Sequence, residues 1–313
     1  MIHSEPPITA PVIVLVGPTA VGKTSLSLDI AKRYDCEIVS LDSMQVYRHM
    51  DIGTAKASAE ERSSVTHHLI DIIDPDAPYD ASSYVSDALR AIKNIIRRHK
   101  VPLITGGTGL YLRALTEGLF KKGASFNNIR DELHQRLERE GACVLHEELS
   151  RIDPVSARKI HINDTHRLIR GLEIYYGTHK PWSDHLAEQR MKPATRRFTN
   201  ILSMGLHSPR ETLYARIDRR TASMMREGLE EEVSCLLAKG YHRNLKSMQA
   251  IGYRHMVEHL LDGRPLGETE ALLARDTRRY AKRQYTWFKK MDVEWFDVAA
   301  PHTVVKAIEG FLV

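Results

Sequence analysis

The sequence lacks a long apolar segment, and this absence argues against a membrane protein. Its first apolar run, Val12 to Val16, ends at Gly17 and is much shorter than the roughly 20 residues that cross a bilayer as a helix. The N-terminal stretch MIHSEPPITAP carries no basic cluster of the kind that opens a secretory signal. We therefore expect a cytoplasmic protein that does not bind a membrane.

Cysteine is also scarce. Cys36, Cys143 and Cys235 are far apart and form no CxxC or Cys/His pattern, which is typical of free thiols in a reducing compartment. Internal repeats and low-complexity tracts are missing as well. With 42% hydrophobic and 27% charged residues among 313, the chain is expected to form one large or two modest globular domains.

Three short strand-like runs near the N-terminus indicate an α/β fold. The runs PVIVLV, EIVSLDS and VPLITGGTG each end in a polar or glycine-rich turn, and helical patterns separate them. This alternation predicts βαβ units and a parallel sheet. Ligands of such sheets bind beyond the carboxyl ends of the strands, so the turn after the first strand, Asp42 and Thr108 are expected to meet at one edge.

Strand signals stop between residues 120 and 197, where helical patterns such as NIRDELHQRLERE dominate. We therefore predict a P-loop NTPase-like parallel sheet flanked by helices, formed by residues 1–119 and 198–313, with a helical subdomain of residues 120–197 inserted in it. Later segments predict a strand at FTNILSMGL, a helix with a capping box of Ser208 and Glu211, a long helix through TRRYAKRQYTWF, a strand at VEWFDV and a closing helix.

The stretch GPTAVGKT, Gly17 to Thr24, matches the phosphate-loop pattern G-x-x-x-x-G-K-[ST]. Its glycines let successive backbone N–H groups point at phosphate oxygens, and the following helix adds its positive N-terminus. Lys23 supplies a point charge, and the Thr24 hydroxyl can hold Mg²⁺. The pattern usually indicates ATP or GTP, but by itself it specifies a diphosphate and leaves open what carries it.

Other nucleotide-handling features are missing. P-loop NTPases usually hold Mg²⁺ with an Asp at the end of a second buried strand, whereas VPLIT ends in Gly106, Gly107 and Thr108, and no NKxD-like guanine motif is present. Asp42, in SLDSMQVY, is open to three interpretations: a general base beside the diphosphate, a Mg²⁺ ligand as in small-molecule kinases, or a turn aspartate. Ser43 and Gln45 beside it could read the edge of a base.

Basic residues cluster in two segments. Between Arg275 and Lys290 there are seven basic residues and one acid, and between Arg151 and Arg220 there are fourteen Lys/Arg and seven Asp/Glu. Either segment alone is typical of a solvated helix face. Because Tyr280, Tyr285, Trp287 and Trp182 are interleaved with them, the pair of segments favours contact with a nucleic-acid backbone.

These motifs, taken in order, are similar to those of one family. The matching segments are GPTAVGKT, DSMQVYRHMDIGTAK, HHLID, GGTGLYLRALTEGL, DPVSARKIHINDTHRLIRGLEIY, QAIGYR and TRRYAKRQYTWF, which extend over nearly the whole chain. DIGTAK and the YAKRQ-containing end are rarely seen elsewhere, so the match is specific. The chain resembles the tRNA dimethylallyltransferase (isopentenyltransferase) family of the bacterial type.

The resemblance implies an activity. Members of that family transfer a dimethylallyl group from dimethylallyl diphosphate to N6 of the adenosine 3′-adjacent to the tRNA anticodon and release diphosphate. The implied partners are the donor and the tRNA anticodon stem-loop, the implied cofactor is Mg²⁺, and a monomer is expected. The base is taken out of its stack for the reaction, and anticodon-loop bases are already accessible for such recognition.

The resemblance also implies roles for particular residues. Asp42 is implied as the general base, Thr19 as an orienting residue near the reacting centre, and Arg216 as a catalytic arginine on the diphosphate. The implied diphosphate-binding residues are Gly17, Pro18, Thr19, Ala20, Val21, Gly22, Lys23, Thr24 and Arg220, with Thr24 on Mg²⁺. The implied tRNA-binding residues are Asp42, Ser43, Met44, Gln45, Thr108, His166, Arg167, Leu168, Ile169, Arg170, Gln249, Ala250, Ile251, Gly252, Tyr253 and Arg254.

Two other classes of function stay open on the residues alone. One is a P-loop small-molecule or nucleotide kinase, in which the helical insertion is a lid. The other is a non-catalytic RNA-binding protein whose phosphate loop grips the RNA backbone. His67, His68 and Asp71 are interpreted as structural, and no metal besides Mg²⁺ is implied because no Cys/His zinc-finger spacing is present.

Overall fold

A six-stranded parallel sheet forms the centre of the protein. The computed structural model describes residues 6–118, 126–191 and 197–313. The strand order is β3-β2-β4-β1-β5-β6, and every neighbouring pair is parallel. The strands are β1 (Val12–Val16), β2 (Cys36–Leu41), β3 (His67–His68), β4 (Val101–Gly106), β5 (Ile201–His207) and β6 (Glu294–Asp297).

The strands form where apolar runs can be buried on both faces. All five residues of β1 and all six of β2 are buried, as expected for a parallel sheet covered by helices on both sides. Glu37 is the one carboxylate buried within β2, and its oxygens are bound by Arg98 at 2.6 Å and by the imidazole of His68 at 2.7 Å. Burial of this charge is possible because Arg98 pairs with it and the ring of His68 hydrogen-bonds to it.

Nine helices of the described residues belong with the sheet in one compact unit, residues 1–116 and 196–313. Gly22 and Asp80 precede the first two long ones, and Asp80 caps its helix by accepting from the backbone N–H groups of Ser82 and Ser83. The helices are α1 (Lys23–Arg33), α2 (Ala59–Ser64), α3 (Ala81–Arg97), α4 (Gly109–Thr116), α9 (Arg210–Arg226), α10 (Leu229–Ala238), α11 (Tyr253–Asp262), α12 (Leu266–Phe288) and α13 (Pro301–Leu312).

The second unit, residues 117–195, is helical in its described part. It contains α5 (Asn127–Ile152), α6 (Pro154–Ala157), α7 (Thr165–Thr178) and α8 (Trp182–Met191), and α5 is interrupted at Gly141, whose φ is 83°. The insertion predicted from the sequence, residues 120–197, begins three residues later and ends two residues later than this unit. The core of the unit consists of Leu133, Leu145, Leu149, Ala157, Ile160, Leu168, Ile169 and Leu172.

The predicted fold class is confirmed, and one local prediction is wrong. A capping box of Ser208 and Glu211 was expected at the start of α9, but the helix begins after Pro209 with no side-chain cap. The Ser208 hydroxyl is buried and has no hydrogen-bond partner among the described residues. Proline, whose φ suits the position before the first turn, replaces the serine there. Within the described ranges, no helix has both the length and the apolar character needed to span a bilayer.

Candidate active site

The phosphate loop connects β1 to α1 in a conformation that its glycines require. Gly22 lies directly before α1 with φ 112°, and Gly17 has φ 156°. A Cβ atom at Gly17 would lie 2.8 Å from the carbonyl oxygen of Leu206 in β5. The loop therefore needs glycine at position 22 for its backbone conformation and at position 17 for its close approach to the neighbouring strand.

Lys23 folds back onto the loop that precedes it. Its Nζ donates to the carbonyl oxygens of Gly17 at 3.0 Å and Pro18 at 2.8 Å. Burial and, second to it, the positive charge of Arg220 lower the pKa of Lys23 to about 7, although the charge of Asp42 partly opposes both. Because the charged form of Lys23 is buried beside a second cation, a bound anion would stabilise it.

Helix α9 brings two arginines to the loop, one turn apart. Arg216 donates from Nη1 to the carbonyl oxygen of Val21 at 2.8 Å. Arg220 is half-buried, and desolvation lowers its pKa while the charge of Asp42 raises it. In the part of the chain that the structure describes, its guanidinium has no hydrogen-bond partner. Both predicted diphosphate arginines thus lie at the loop, and Arg220 has unused donors there.

Asp42 follows β2 directly at the carboxyl edge of the sheet. Its Oδ1 accepts from the backbone N–H groups of Met44 at 2.8 Å and Gln45 at 3.3 Å, so the turn interpretation is correct for one oxygen. No described residue donates to its Oδ2. Thr108, which follows β4, accepts from the N–H of Ser43 at 3.1 Å. These contacts bring Asp42 and Thr108 to one edge, and the phosphate loop lines a cavity with Asp42 there, so the predicted meeting of the three is confirmed.

Gln284, in α12, is a site residue that the sequence interpretation missed. Its Oε1 accepts from the N–H of Thr19 at 2.8 Å, and its Nε2 donates to the carbonyl oxygen of Gly107 at 2.9 Å. It therefore joins the phosphate loop to the end of β4. Tyr280 lies one turn earlier, where burial and the nearby Asp42 carboxylate raise the pKa of its hydroxyl. The sequence signal was the YAKRQ segment, from which Tyr280 was predicted only to lie beside a nucleic-acid backbone and no role followed for Gln284.

Two cavities meet at Asp42. The inner one, of about 100 Å³, is bordered by the phosphate loop, and the outer one, of about 310 Å³, opens beside it. Thr19, Asp42, Thr54, Arg220 and Tyr280 line both. The outer cavity is also lined by five residues of the predicted tRNA-binding set, namely Ser43, Met44, Gln249, Ala250 and Ile251.

Several predicted tRNA-binding side chains are used inside the protein. Tyr253 is fully buried and donates its hydroxyl to Glu232 at 2.6 Å, so the prediction that its side chain binds tRNA is wrong. Arg254 binds Asp276 at 2.5 Å. Gln45 accepts from Ser40 and donates to backbone carbonyls of residues 54 and 55, and its role as a base reader stays a prediction.

The set at the start of α7 divides in the same way. Leu168 and Ile169 are buried in the core of their own unit, so their side chains do not provide an RNA-binding surface. Arg170 binds Glu173 at 2.9 Å. His166 and Arg167 are exposed, and Asp164 caps the helix by accepting from the N–H of Arg167 at 3.2 Å. For the exposed His166 and Arg167, side-chain contact with tRNA stays a prediction.

The basic face of α12 is partly neutralised within the protein. Arg275 binds Asp276 at 3.0 Å, and Arg278 pairs with Asp218. The aromatic residues predicted to interleave with these charges have neighbours within the protein. The ring centroids of Tyr285 and Trp295 are 4.9 Å apart, and a Cβ at Gly109 would touch the ring of Trp287. Trp182 packs against the core of the helical unit. All three rings are half-buried, and their part in the predicted footprint stays a prediction.

The donors at the loop fit a magnesium ion that is bound mainly through a ligand. Thr24 is exposed in the first turn of α1 and lines the inner cavity with Lys23 and Asp42. Mg²⁺ keeps several waters and typically takes one or two protein oxygens together with substrate phosphates. Among the described residues no group of three or more His, Cys, Asp or Glu side chains could hold a metal, so these residues offer no all-protein metal cage.

The structural interpretation of His67, His68 and Asp71 agrees with their contacts. Asp71 accepts from Lys56 and Arg62, each at 2.6 Å, and the ring of His67 bonds to the carbonyl oxygen of Val65 at 2.8 Å. Lys56, of the DIGTAK segment, is almost completely buried between Asp51 and Asp71. These residues fix the segment that follows Asp42.

The site combines a phosphate loop on a parallel sheet with two arginines at the loop and a carboxylate between two cavities. These features define a P-loop α/β protein. Comparison with known proteins gives the family. The family model described as IPP transferase matches residues 45–291, and the one described as isopentenyl transferase matches residues 10–74. The chain belongs to the IPP transferase family of prenyltransferases.

Relatives and solved structures agree with this assignment. The chain is 50% identical over 306 residues to the tRNA dimethylallyltransferase of Desulfotalea psychrophila, covering 97% of this chain and 96% of that one. It is similar to the crystal structure of a tRNA isopentenylpyrophosphate transferase from Bacillus halodurans, with a TM-score of 0.70, 40% identity and 96% of both chains covered. A eukaryotic dimethylallyltransferase acting on tRNA aligns with a TM-score of 0.78 and 30% identity, covering 96% of this chain and 78% of that one.

Proposed function

We propose that the protein transfers a dimethylallyl group from dimethylallyl diphosphate to N6 of the adenosine 3′-adjacent to the tRNA anticodon and releases diphosphate. The observation that carries this proposal is the position of Asp42, whose free oxygen lies where a cavity beside the phosphate loop meets a larger one. The first cavity suits the reacting end of the donor, and the second, of about 310 Å³, suits an extruded nucleobase.

At the donor end, the loop stabilises the leaving group. The N-terminus of α1, with the first-turn backbone N–H groups of Lys23 and Thr24, supplies donors for bound phosphates. Lys23, Arg216 and Arg220 place three cations at the loop, where negative charge grows on the diphosphate as the C1–O bond breaks. A Mg²⁺ ion held by Thr24 and the diphosphate oxygens would neutralise part of the same charge.

At the acceptor end, Asp42 removes a proton. The adenosine N6 attacks C1 of the donor, the C1–O bond to the diphosphate breaks, and the proton lost from N6 passes to Asp42 Oδ2. The Asx turn made by Oδ1 with Met44 and Gln45 fixes the direction of the free oxygen. Thr19 lines both cavities, and its N–H is held by Gln284. Its position supports a role for its side chain between the two substrates.

The proposed acceptor is a tRNA anticodon stem-loop, bound by a monomer in the cytoplasm. The basic excess of residues 151–220 and 275–290 supports attraction of a phosphate backbone. Residues Ser43, Met44 and Gln249–Ile251 line the outer cavity and are placed to surround a base. The exposed His166 and Arg167 supply further polar groups from the helical unit.

The test is transfer of label from dimethylallyl diphosphate to unmodified tRNA without ATP. The wild-type protein should label the tRNA, whereas a kinase or a passive RNA-binding protein would not. Asp42→Asn keeps an oxygen for the Asx turn but removes the base, so turnover should fall by about two to four orders of magnitude while tRNA affinity is largely kept. Asp292→Asn, an exposed aspartate outside both cavities, is the control. Wild-type turnover in Asp42→Asn would refute the base assignment.

A further inference from the structure

Glu232 makes an unusual set of hydrogen bonds outside the cavities. It lies in the first turn of α10 and is half-buried. Its Oε2 accepts from the backbone N–H groups of Asp51 at 2.9 Å and Ile52 at 2.8 Å, and its Oε1 accepts from the N–H of Gly53 at 3.2 Å. The Tyr253 hydroxyl donates to the same Oε1 at 2.6 Å. Four donors thus converge on one carboxylate.

This carboxylate binds main-chain donors instead of a cation. Within the ranges that the structure describes, no Lys, Arg or His forms an ion pair with Glu232. Three successive N–H groups that point at one anion form a concave main-chain site, and hydrogen bonds to a charged acceptor are stronger than those between neutral groups. The arrangement fixes the backbone of residues 51–53 more firmly than a surface salt bridge would.

Tyr253 holds the same segment by packing. It is fully buried, and a Cβ placed at Gly53 would lie 2.5 to 2.9 Å from three atoms at the hydroxyl end of its ring. Gly53 therefore has to be glycine for the backbone to rest on the ring. Glu232 and Tyr253 together press the 51–53 backbone into one position, from the side of its N–H groups and from the side of its Cα.

The segment held in this way is a wall of the outer cavity. Gly53 and Thr54 line that cavity together with Gln249–Ile251, and Tyr253 follows the latter residues at the start of α11. The carbonyl oxygens of Thr54 and Ala55 accept from the side chain of Gln45, whose own N–H binds Asp42. Glu232 is thus connected to both cavity walls and, through Gln45, to the turn that carries the carboxylate.

We propose that Glu232 is a positioning residue for prenyl transfer, which sets the distance between the Gly53–Thr54 wall and the Gln249–Ile251 wall and so aligns the acceptor base with Asp42. This inference rests on the proposed function, because it assumes that the outer cavity takes the base. Glu232 does not line either cavity, so it acts through the backbone it holds. A shift of the order of 1 Å at the acceptor is enough to reduce turnover about 100-fold.

The test uses Glu232→Gln with Glu231→Gln as its matched control. Glutamine has the same shape but offers one oxygen and turns an NH₂ group toward backbone donors, whereas Glu231 is an exposed neighbour in the same helical turn. We expect Glu232→Gln to lower kcat with saturating tRNA by about 10- to 100-fold and to leave the KM for dimethylallyl diphosphate within about twofold, since the phosphate loop is untouched. Equal activity of the two variants would overturn the proposal.

Tyr253→Phe gives a milder second measurement, since it removes one of the four hydrogen bonds and keeps the ring. Its loss in kcat should be smaller, and the double variant should lose less than the product of the two single losses because both act on one contact. If Glu232→Gln does not fold, wild-type kcat in a folded Tyr253→Phe would overturn the proposal. Independent losses that multiply would also overturn it.

Amide hydrogen exchange of residues 51–53 supplies a readout that needs no activity. Exchange should accelerate at these amides in Glu232→Gln and not in Glu231→Gln, while the protection of β1 and β2 stays unchanged. If wild-type protein transfers no label to tRNA, the proposed function fails, and the exchange data still decide whether Glu232 holds the segment. Unchanged exchange at residues 51–53 would refute the positioning role.

Discussion

The low pKa of Lys23 predicts a specific pH dependence of donor binding. In the free protein this pKa is lowered to about 7 by burial and by Arg220. A bound diphosphate stabilises the ammonium and raises the pKa, so above pH 7 the complex carries more protons than the free protein. Affinity therefore falls as the pH rises. Between pH 7 and pH 9 the protonated fraction of a group with pKa 7 decreases about 50-fold, which sets the largest increase expected in Kd.

Calorimetric or fluorescence titration with dimethylallyl diphosphate, in the absence of RNA and at constant magnesium, measures this effect. Lys23→Met removes the titrating group and keeps the length of the side chain, so its profile reports the ionisation of the ligand and of other residues. Over this range the ratio of the variant Kd to the wild-type Kd should be largest near pH 7 and should decrease toward pH 9, by at most about 50-fold. A ratio that does not change over this range would refute both the lowered pKa and the direct role of Lys23 on the diphosphate.

Two further predictions address stability and RNA binding. Ser208→Ala should leave the thermal unfolding midpoint unchanged or raise it slightly, because the buried hydroxyl has no partner to lose; a clear decrease would indicate that a cap forms there after all. Charge reversal of Arg278 and Arg279 should lower the slope of log K against log salt for tRNA binding, and an unchanged slope would mean that this face of α12 does not contact the RNA.

The sheet was predictable because its strands carry their own signal. The runs VIVLV and CEIVSL are continuous and apolar, and a parallel strand buried on both faces produces this pattern regardless of its neighbours. The edge strand β3, with two residues in HHLID, was not predicted because so short a pairing depends on β2 and not on its own composition. The absence of a cap at Ser208 was missed because proline can occupy the position just before a helix as well as its first turn. In α9, Pro209 occupies the position before the helix.

The site was predictable only where a local motif defines the backbone. The phosphate loop and the Asp42 turn are encoded within a few residues each. Gln284 is 265 residues from Thr19, whose N–H it binds, and Glu232 is 179 to 181 residues from the amides it holds. No periodicity or spacing reports such contacts. Tyr253 was misinterpreted for the same reason, because an aromatic residue in a polar segment has the same appearance in the sequence whether it stacks on a ligand or on Gly53.

The end of β4 bears on what kind of reaction the phosphate loop serves. P-loop NTPases place a Mg²⁺-binding Asp at the end of a second buried strand, and here that position is taken by Gly106 and Gly107. A Cβ at Gly107 would lie 2.1 Å from Gln284 Nε2. An acidic side chain at position 107 is therefore incompatible with the hydrogen bond from Thr19 to Gln284. In place of a metal-binding carboxylate, this position therefore holds a glycine that leaves room for Gln284, which links the loop to α12. The carboxylate that remains beside the loop, Asp42, faces a second cavity, which supports a diphosphate that departs as a leaving group over one that donates a phosphoryl group.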